Sequence, residues 1–382
     1  MLPRSPLFRQ IALRGASIVA VAALGAACTG VIGTLEEEEE TASAGGQTSG
    51  IPSGSGAQGS SGAPSGSSGS TSQGAGGSSS AGGMGGSSSG EGGSGMGGMT
   101  SSSTSGGSGG AGGGGPQVEP VCERWNDDRA DLGEGAWSGS VNGCNPGDVS
   151  ADGRANALKL VNLYRFLAGL PAVTNDPTRD QKAQACALMM DANNQLNHFP
   201  PQNWACYSAD GSQAAGSSNI ASTAGVQAVD LYMADFGNDT TIGHRRWILS
   251  GSLGGIGLGT TNSYSCMWVI GGSGQQNPLF TAWPSPGKFP IQAMGVSFVS
   301  VDEVGWTIQS SAMDLSGAQV TVTDGGQNMP VNVAPLLGGY GSTWAIKITP
   351  SGWTSQAGHT YAVSVSGLAQ AINYSVEMVD CN

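Results

Sequence analysis

Few residues in this chain have side chains suited to chemistry at neutral pH. The sequence holds three histidines, His198, His244 and His359, and seven cysteines in 382 residues. His198 and His244 stand 46 positions apart, the second inside Gly243-His244-Arg245-Arg246-Trp247-Ile248-Leu249. Imidazoles of this kind serve as metal ligands or as acid–base groups. Two alone do not hold zinc tightly, because a catalytic zinc keeps three protein ligands and a water. Each also has a structural use, His244 in fixing a helix start and His198 as a cation meeting the dipole at a helix end. His359 follows Gly358 in a turn and faces water. No Gly-x-Ser-x-Gly turn surrounds Ser218, which argues against it as a nucleophile.

The elements that must position these residues show as helical periods. A helix follows Asp152, with Ala155, Leu158, Val161 and Arg165 on one side, and stops at Gly169 and Pro171. A second starts near Asp176-Pro177, carries Ala183, Cys186, Ala187 and Met190 on one face, and ends around Leu196 to His198 before Pro200-Pro201. Val226, Val229, Met233 and Phe236 mark a third, and a short turn covers His244 to Leu249. Gly255–Gly259 and Tyr264–Ile270 read as strands. After Gly274 the period becomes two: Val320 and Val322, Val331 and Val333, Trp344 to Ile348, Tyr361 to Val365, and Tyr374 to Met378 alternate with polar neighbours. Five strands with glycine turns predict a small antiparallel sandwich.

The first part of the chain is a different material. Arg4, Arg9 and Arg14 precede an apolar run, Ala16 to Ala27, too short to span a bilayer, which predicts a secretory signal over residues 1–27. Leu24-Gly25-Ala26-Ala27-Cys28 is close to a bacterial lipoprotein box with Cys28 as the acylated residue. Without lipidation, ordinary cleavage nearby leaves a secreted protein. Residues 28–115 predict a disordered Gly/Ser-rich tether, 30 of the 66 glycines falling between Gly45 and Gly115. Glu36 to Glu40 read as a solvated spacer. Residues 116–150, with Cys122 and Cys144, show no clear period and predict a lead-in held by disulfide. Beyond residue 115 lie 21 of the 27 acidic and 11 of the 14 basic side chains. That balance, without basic clusters, argues against nucleic acid and against electrostatic binding to anionic lipid.

Cys28 apart, six cysteines remain, an even number in an exported chain. Twelve helical residues from Cys186 to His198 rise roughly 18 Å, and the residues after His198 can retrace that length extended, which predicts a Cys186–Cys206 disulfide.

Asn162 and Arg165 before Gly169-Leu170-Pro171, then His198, Ser218-Asn219-Ile220-Ala221, Tyr232 to Asp235, Gly243-His244-Arg245 and Ile256–Gly259 together resemble the CAP superfamily, the fold of cysteine-rich secretory proteins, antigen 5 and pathogenesis-related proteins. The resemblance covers about Asp152 to Ile270. It implies an α+β chain: a helix–sheet–helix CAP sandwich at 151–274, followed at 275–382 by an immunoglobulin-like sandwich, the extension some bacterial members carry. It also implies a cleft lined by two histidines and two glutamates, which become His198, His244, Ser218 and Asp235 here. One acid is thus missing and one shortened. A divalent metal such as zinc would be held weakly, through His198 and His244, with Asp235 a candidate third ligand.

Three functions follow from the resemblance. The first is a non-enzymatic protein of the bacterial envelope, anchored by lipid alone, that binds a lipid or other small apolar molecule, a metal or a surface protein through the cleft. The others are a metal-assisted hydrolase and a structural or adhesive surface module. Ser218 in place of the acid weighs against hydrolysis, which needs a base beside the metal-bound water. Asn162 and Arg165 read as buried scaffold, and Arg245 and Arg246 as partners of acids such as Asp235 or Asp239.

Overall fold

The computed structural model describes residues 120–272 and 274–382. The signal, Cys28 and all of the tether region lie outside the described residues, as do the first residues of the lead-in.

Ser150 rather than Asp152 caps the first of the expected helices: its side chain accepts from Gly153 N, and α2 runs Ala151–Leu167. Asp176 caps α3 (Pro177–Asn193) by accepting from Thr178 N and Arg179 N, with proline in the first turn. Asn194 ends α3 in the left-handed conformation, φ 46°. The third helix, α5, is Gly225–Ala234, and the short turn at His244 is α6, Gly243–Ile248. The two expected strands are β2 (Gly257–Thr260) and β3 (Ser265–Trp268).

Two elements in this region carry no readable period, α4 (Ala209–Ala215) and β1 (Ser218–Ala221). Strand β1 pairs antiparallel with β3, and the sheet order is β1-β3-β2. On one face Ile220 and Cys266 pack with Ala183, Cys186 and Met190 of α3 and Ala214 of α4. On the other, Ala221, Leu258 and Met267 share a core with α2 and α5. The expected helix–sheet–helix layers are therefore present.

The lead-in is not featureless. Pro120–Arg129 form α1, which buries Cys122 and Trp125. Its polar sequence hides the period, because only those two side chains reach the core.

The expected disulfide is not formed. Cys186 pairs with Cys266 and Cys206 with Cys144, while Cys122 closes on Cys381. Cys186 points from α3 into the sheet, where Cys266 faces it across the layer. Retracing chain length places two residues at one height but does not fix their direction, and that is why the expectation failed.

Residues 275–382 form two sheets. One has the order β4 (Thr281–Trp283), β6 (Trp306–Ser310), β10 (Trp344–Pro350), β9 (Val331–Leu336). The other has β5 (Gly287–Pro290), β12 (Ile372–Val379), β11 (Thr360–Ser366), β7 (Gln319–Asp324), β8 (Gln327–Met329). A single helical turn, α7 (Val301–Val304), leads into β6. All five strands expected by alternation are present. The sandwich is not wholly antiparallel: β5 pairs parallel with β12. The largest hydrophobic cluster joins Leu160 and Tyr164 of α2 to Trp283, Ile308 and Val363 without a break.

Candidate functional site

The geometry of the site begins at the end of α5. Asp235 caps that helix in the left-handed conformation, φ 56°, and Ile242, φ 42°, precedes α6 in the same unusual region. Between these two turns the chain reverses, and His244 returns to the residue that ended α5. His244 Nδ1 donates to Asp235 Oδ1 at 2.8 Å. Asn238 Nδ2 also donates to that oxygen, at 2.7 Å, and the backbone N–H of Arg245 donates to Oδ2 at 3.2 Å. The Asp235 side chain is fully buried. Burial pushes its carboxyl pKa up, but the charge of His244, hydrogen bonds from His244 and Asn238 and the charge of Arg245 outweigh this, leaving it below the ordinary carboxylate value.

The rest of the His244 setting comes from residues on other elements. Asn219 Nδ2 donates to the His244 carbonyl at 3.1 Å, and Tyr232 donates to the Asn219 carbonyl. The Tyr232 and His244 rings lie 5.3 Å apart. With Nδ1 committed to Asp235, Nε2 is the nitrogen left for a ligand. A cleft of about 350 Å³ opens here, lined by His244, Asp235 and Asn238 together with Leu196, Ile220 and Leu231. At its rim Phe236 and Phe298 meet edge to face at 5.5 Å, though they are 56% and 74% exposed.

His198 is placed differently. It is 5% exposed, lies beyond the end of α3, and its Nδ1–H donates to the Ala215 carbonyl at 2.8 Å. Burial lowers its pKa, against the carbonyl bond that raises it, and the charge of His244 lowers it further. The neutral ring is favoured, so the reading of His198 as a cation on a helix dipole is not supported. Ser218 is also buried, and its hydroxyl has no hydrogen-bond partner.

The residues present do not fit a metal centre. Among the described residues no group of three His, Cys, Asp or Glu side chains could hold a metal ion. Asp235, the candidate third ligand, spends its oxygens on His244, Asn238 and Arg245, which makes it the group that orients His244. Two imidazoles remain, fewer than zinc requires.

The arginines also differ from expectation. Asn162 and Arg165 are scaffold, bonded to Val173 and to the carbonyls of Pro171, Ile248 and Ser250. Arg245 and Arg246, however, direct their guanidinium groups to carbonyls, not to acids: Met233, Ala234 and Gly305 for the first, Thr241, Leu337 and Ser342 for the second. Burial lowers each of the three guanidinium pKa values to about 10. His359 pairs with Asp324 in the strand region.

Sequence reasoning passed over Asn238, Phe236 as a rim residue, and Phe298. Asn219 lay in the quoted Ser-Asn-Ile-Ala segment, where its amide was the available signal. Phe298 gave none, since it lies in the strand region, far along the chain from the residues it joins.

The three disulfides are of an extracellular type. No described helix is long and apolar enough to cross a membrane. No curated protein and no solved structure matches the chain. Residues 158–270 match the model of the cysteine-rich secretory protein family, CAP. That span holds α3, the β1-β3-β2 sheet, α5 and the Asp235–His244 turn, and it is a CAP domain.

Proposed function

We propose that the chain is an exported envelope protein whose CAP domain binds, without catalysis, a small amphipathic molecule in the His244 cleft. The observation that carries this reading is the pairing of opposites in one cavity. Its rim holds two exposed aromatic rings, Phe236 and Phe298, and its wall holds an imidazole oriented by the buried Asp235. Exposed aromatic rings favour an apolar body. His244 Nε2, the nitrogen not held by Asp235, hydrogen-bonds the hydroxyl or acid at the ligand's polar end. Acylation of Cys28 would hold the protein at the membrane by its anchor alone.

Palmitate and the neutral dye N-phenylnaphthylamine are suitable probes, titrated into the exported chain by calorimetry and fluorescence. Phe298→Ser should weaken both at least tenfold, and His244→Ala should weaken palmitate more than the dye. Failure of both probes to bind, or binding untouched by Phe298→Ser, overturns the reading. Cleavage of a p-nitrophenyl ester that depends on His244 would replace it with the hydrolase.

A further inference from the structure

Helix α5 carries the cleft, supplying Leu231, Tyr232 and, at its end, Asp235. Its own sequence does not cap its start. The N-cap position is Ala224, which offers no side-chain hydrogen bond. An uncapped first turn leaves backbone N–H groups without partners.

The missing acceptor arrives from about ninety residues upstream. Glu134 Oε2 accepts from Val226 N at 2.6 Å and Oε1 from Gln227 N at 2.7 Å. One carboxylate thus serves two of the orphan donors and places a negative charge at the positive end of the helix dipole. A second grip comes from the same upstream segment. Arg129, in α1, forms a bidentate pair with Asp230 of α5 at 3.0 and 2.8 Å, and Asp230 also receives the Tyr164 hydroxyl. The segment carrying Glu134 and Arg129 is fastened at both ends by disulfides, Cys122–Cys381 and Cys144–Cys206. All of it lies before residue 158, where the CAP match begins.

From this arrangement we infer that Glu134 and Arg129 are positioning residues for the cleft. They act through α5 to hold Asp235 where it orients His244. The His244 end of α5 is set by its left-handed cap and the loop after it; at the other end Val226 packs in the core, and the upstream segment supplies the carboxylate that receives the first-turn N–H groups. Loss of the Glu134 grip frees the first turn of α5, and Asp235 at the far end then loses its fixed distance to the imidazole. This inference deepens the proposed cleft function, but its test needs no ligand.

Two readouts distinguish positioning from general support. The first is amide hydrogen exchange at Val226 and Gln227, expected to speed up at least tenfold in Glu134→Ala while amides of β10 and β11 keep their rates. The second is the Nδ1–H proton resonance of His244, a downfield signal of an imidazole bonded to a carboxylate, expected to broaden or vanish in Glu134→Ala. Glu134→Gln keeps one carbonyl acceptor of the same reach, so it should restore the resonance and part of the protection. Should Glu134→Ala not fold, Arg129→Met releases the second grip and should weaken the same resonance. Unchanged exchange at Val226 and Gln227 with an unchanged resonance overturns the inference. So does loss of the resonance that Gln does not restore. Failure of palmitate to bind, with the resonance lost and restored as described, would overturn the proposed ligand and leave the positioning roles standing.

Discussion

The CAP domain buries several charged side chains where the strand region buries one, Asp302, and the two fill their cores by different routes. In the first, Arg165, His198, Asp235, Arg245 and Arg246 are all buried. Two of the arginines find partners far along the chain: Arg165 reaches Ile248 and Ser250, and Arg246 reaches Leu337 and Ser342. In the second, β11 alternates strictly, with Tyr361, Val363 and Val365 buried and the residues between them exposed. A strand built this way needs only its own period and a neighbour. A buried guanidinium needs carbonyls delivered by several loops at once, so the CAP domain depends on parts of the chain that its own motifs do not contain.

The largest test of that contrast is Arg246→Met. It leaves the carbonyls of Thr241, Leu337 and Ser342 without their donor, and urea unfolding should show a loss of about 3 kcal/mol. Ile348→Val, in the middle of β10 and fully buried, should cost only about 0.5–1.5 kcal/mol. A reversed order would break the comparison.

The next effect is a dependence on pH. The folded pKa of His198 is lowered, chiefly by burial, whereas the unfolded chain titrates near ~6.5. As pH falls through that value the unfolded chain takes up a proton that the folded one refuses. Stability is therefore retained above the unfolded pKa and declines as pH drops towards the folded one, with a slope of up to about 1.4 kcal/mol per pH unit. Urea midpoints from pH 7.5 to 5 should fall, and His198→Gln should flatten the fall. Midpoints independent of pH, or a slope that the variant keeps, would show that burial of His198 has no such linkage.

The smallest effect concerns Ser218. Its buried hydroxyl has no partner, so Ser218→Ala should be neutral or should stabilise by up to about 1 kcal/mol. A loss of more than about 1 kcal/mol would mean that the hydroxyl is satisfied in solution.

Much of the fold was legible where spacing is local. Asp176-Pro177 announced α3, and valine alternation announced β7, β9 and β11. The His244 segment and Asp235 stood out because few residues of their type exist. What stayed hidden depends on partners distant in sequence. Cys186 meets Cys266 across a layer, a relation that rise along a helix does not contain. Nothing around Glu134 marks it as the cap of a helix ninety residues on. Arg245 and Arg246 suggested acids because charge seeks charge in water, but buried loops offered carbonyls instead.

The Cys122–Cys381 bond has a mechanical consequence. It joins α1, the first described element, to the residue next to the end of the chain, across a separation of 259 positions. Tension applied upstream of Cys122 therefore passes directly to Cys381, and the residues between them form a closed ring. The sheets inside that ring are not in series with the load. In an open chain a pull from upstream of Cys122 would bear on α1 alone; here the bond shares it with the residues just after β12.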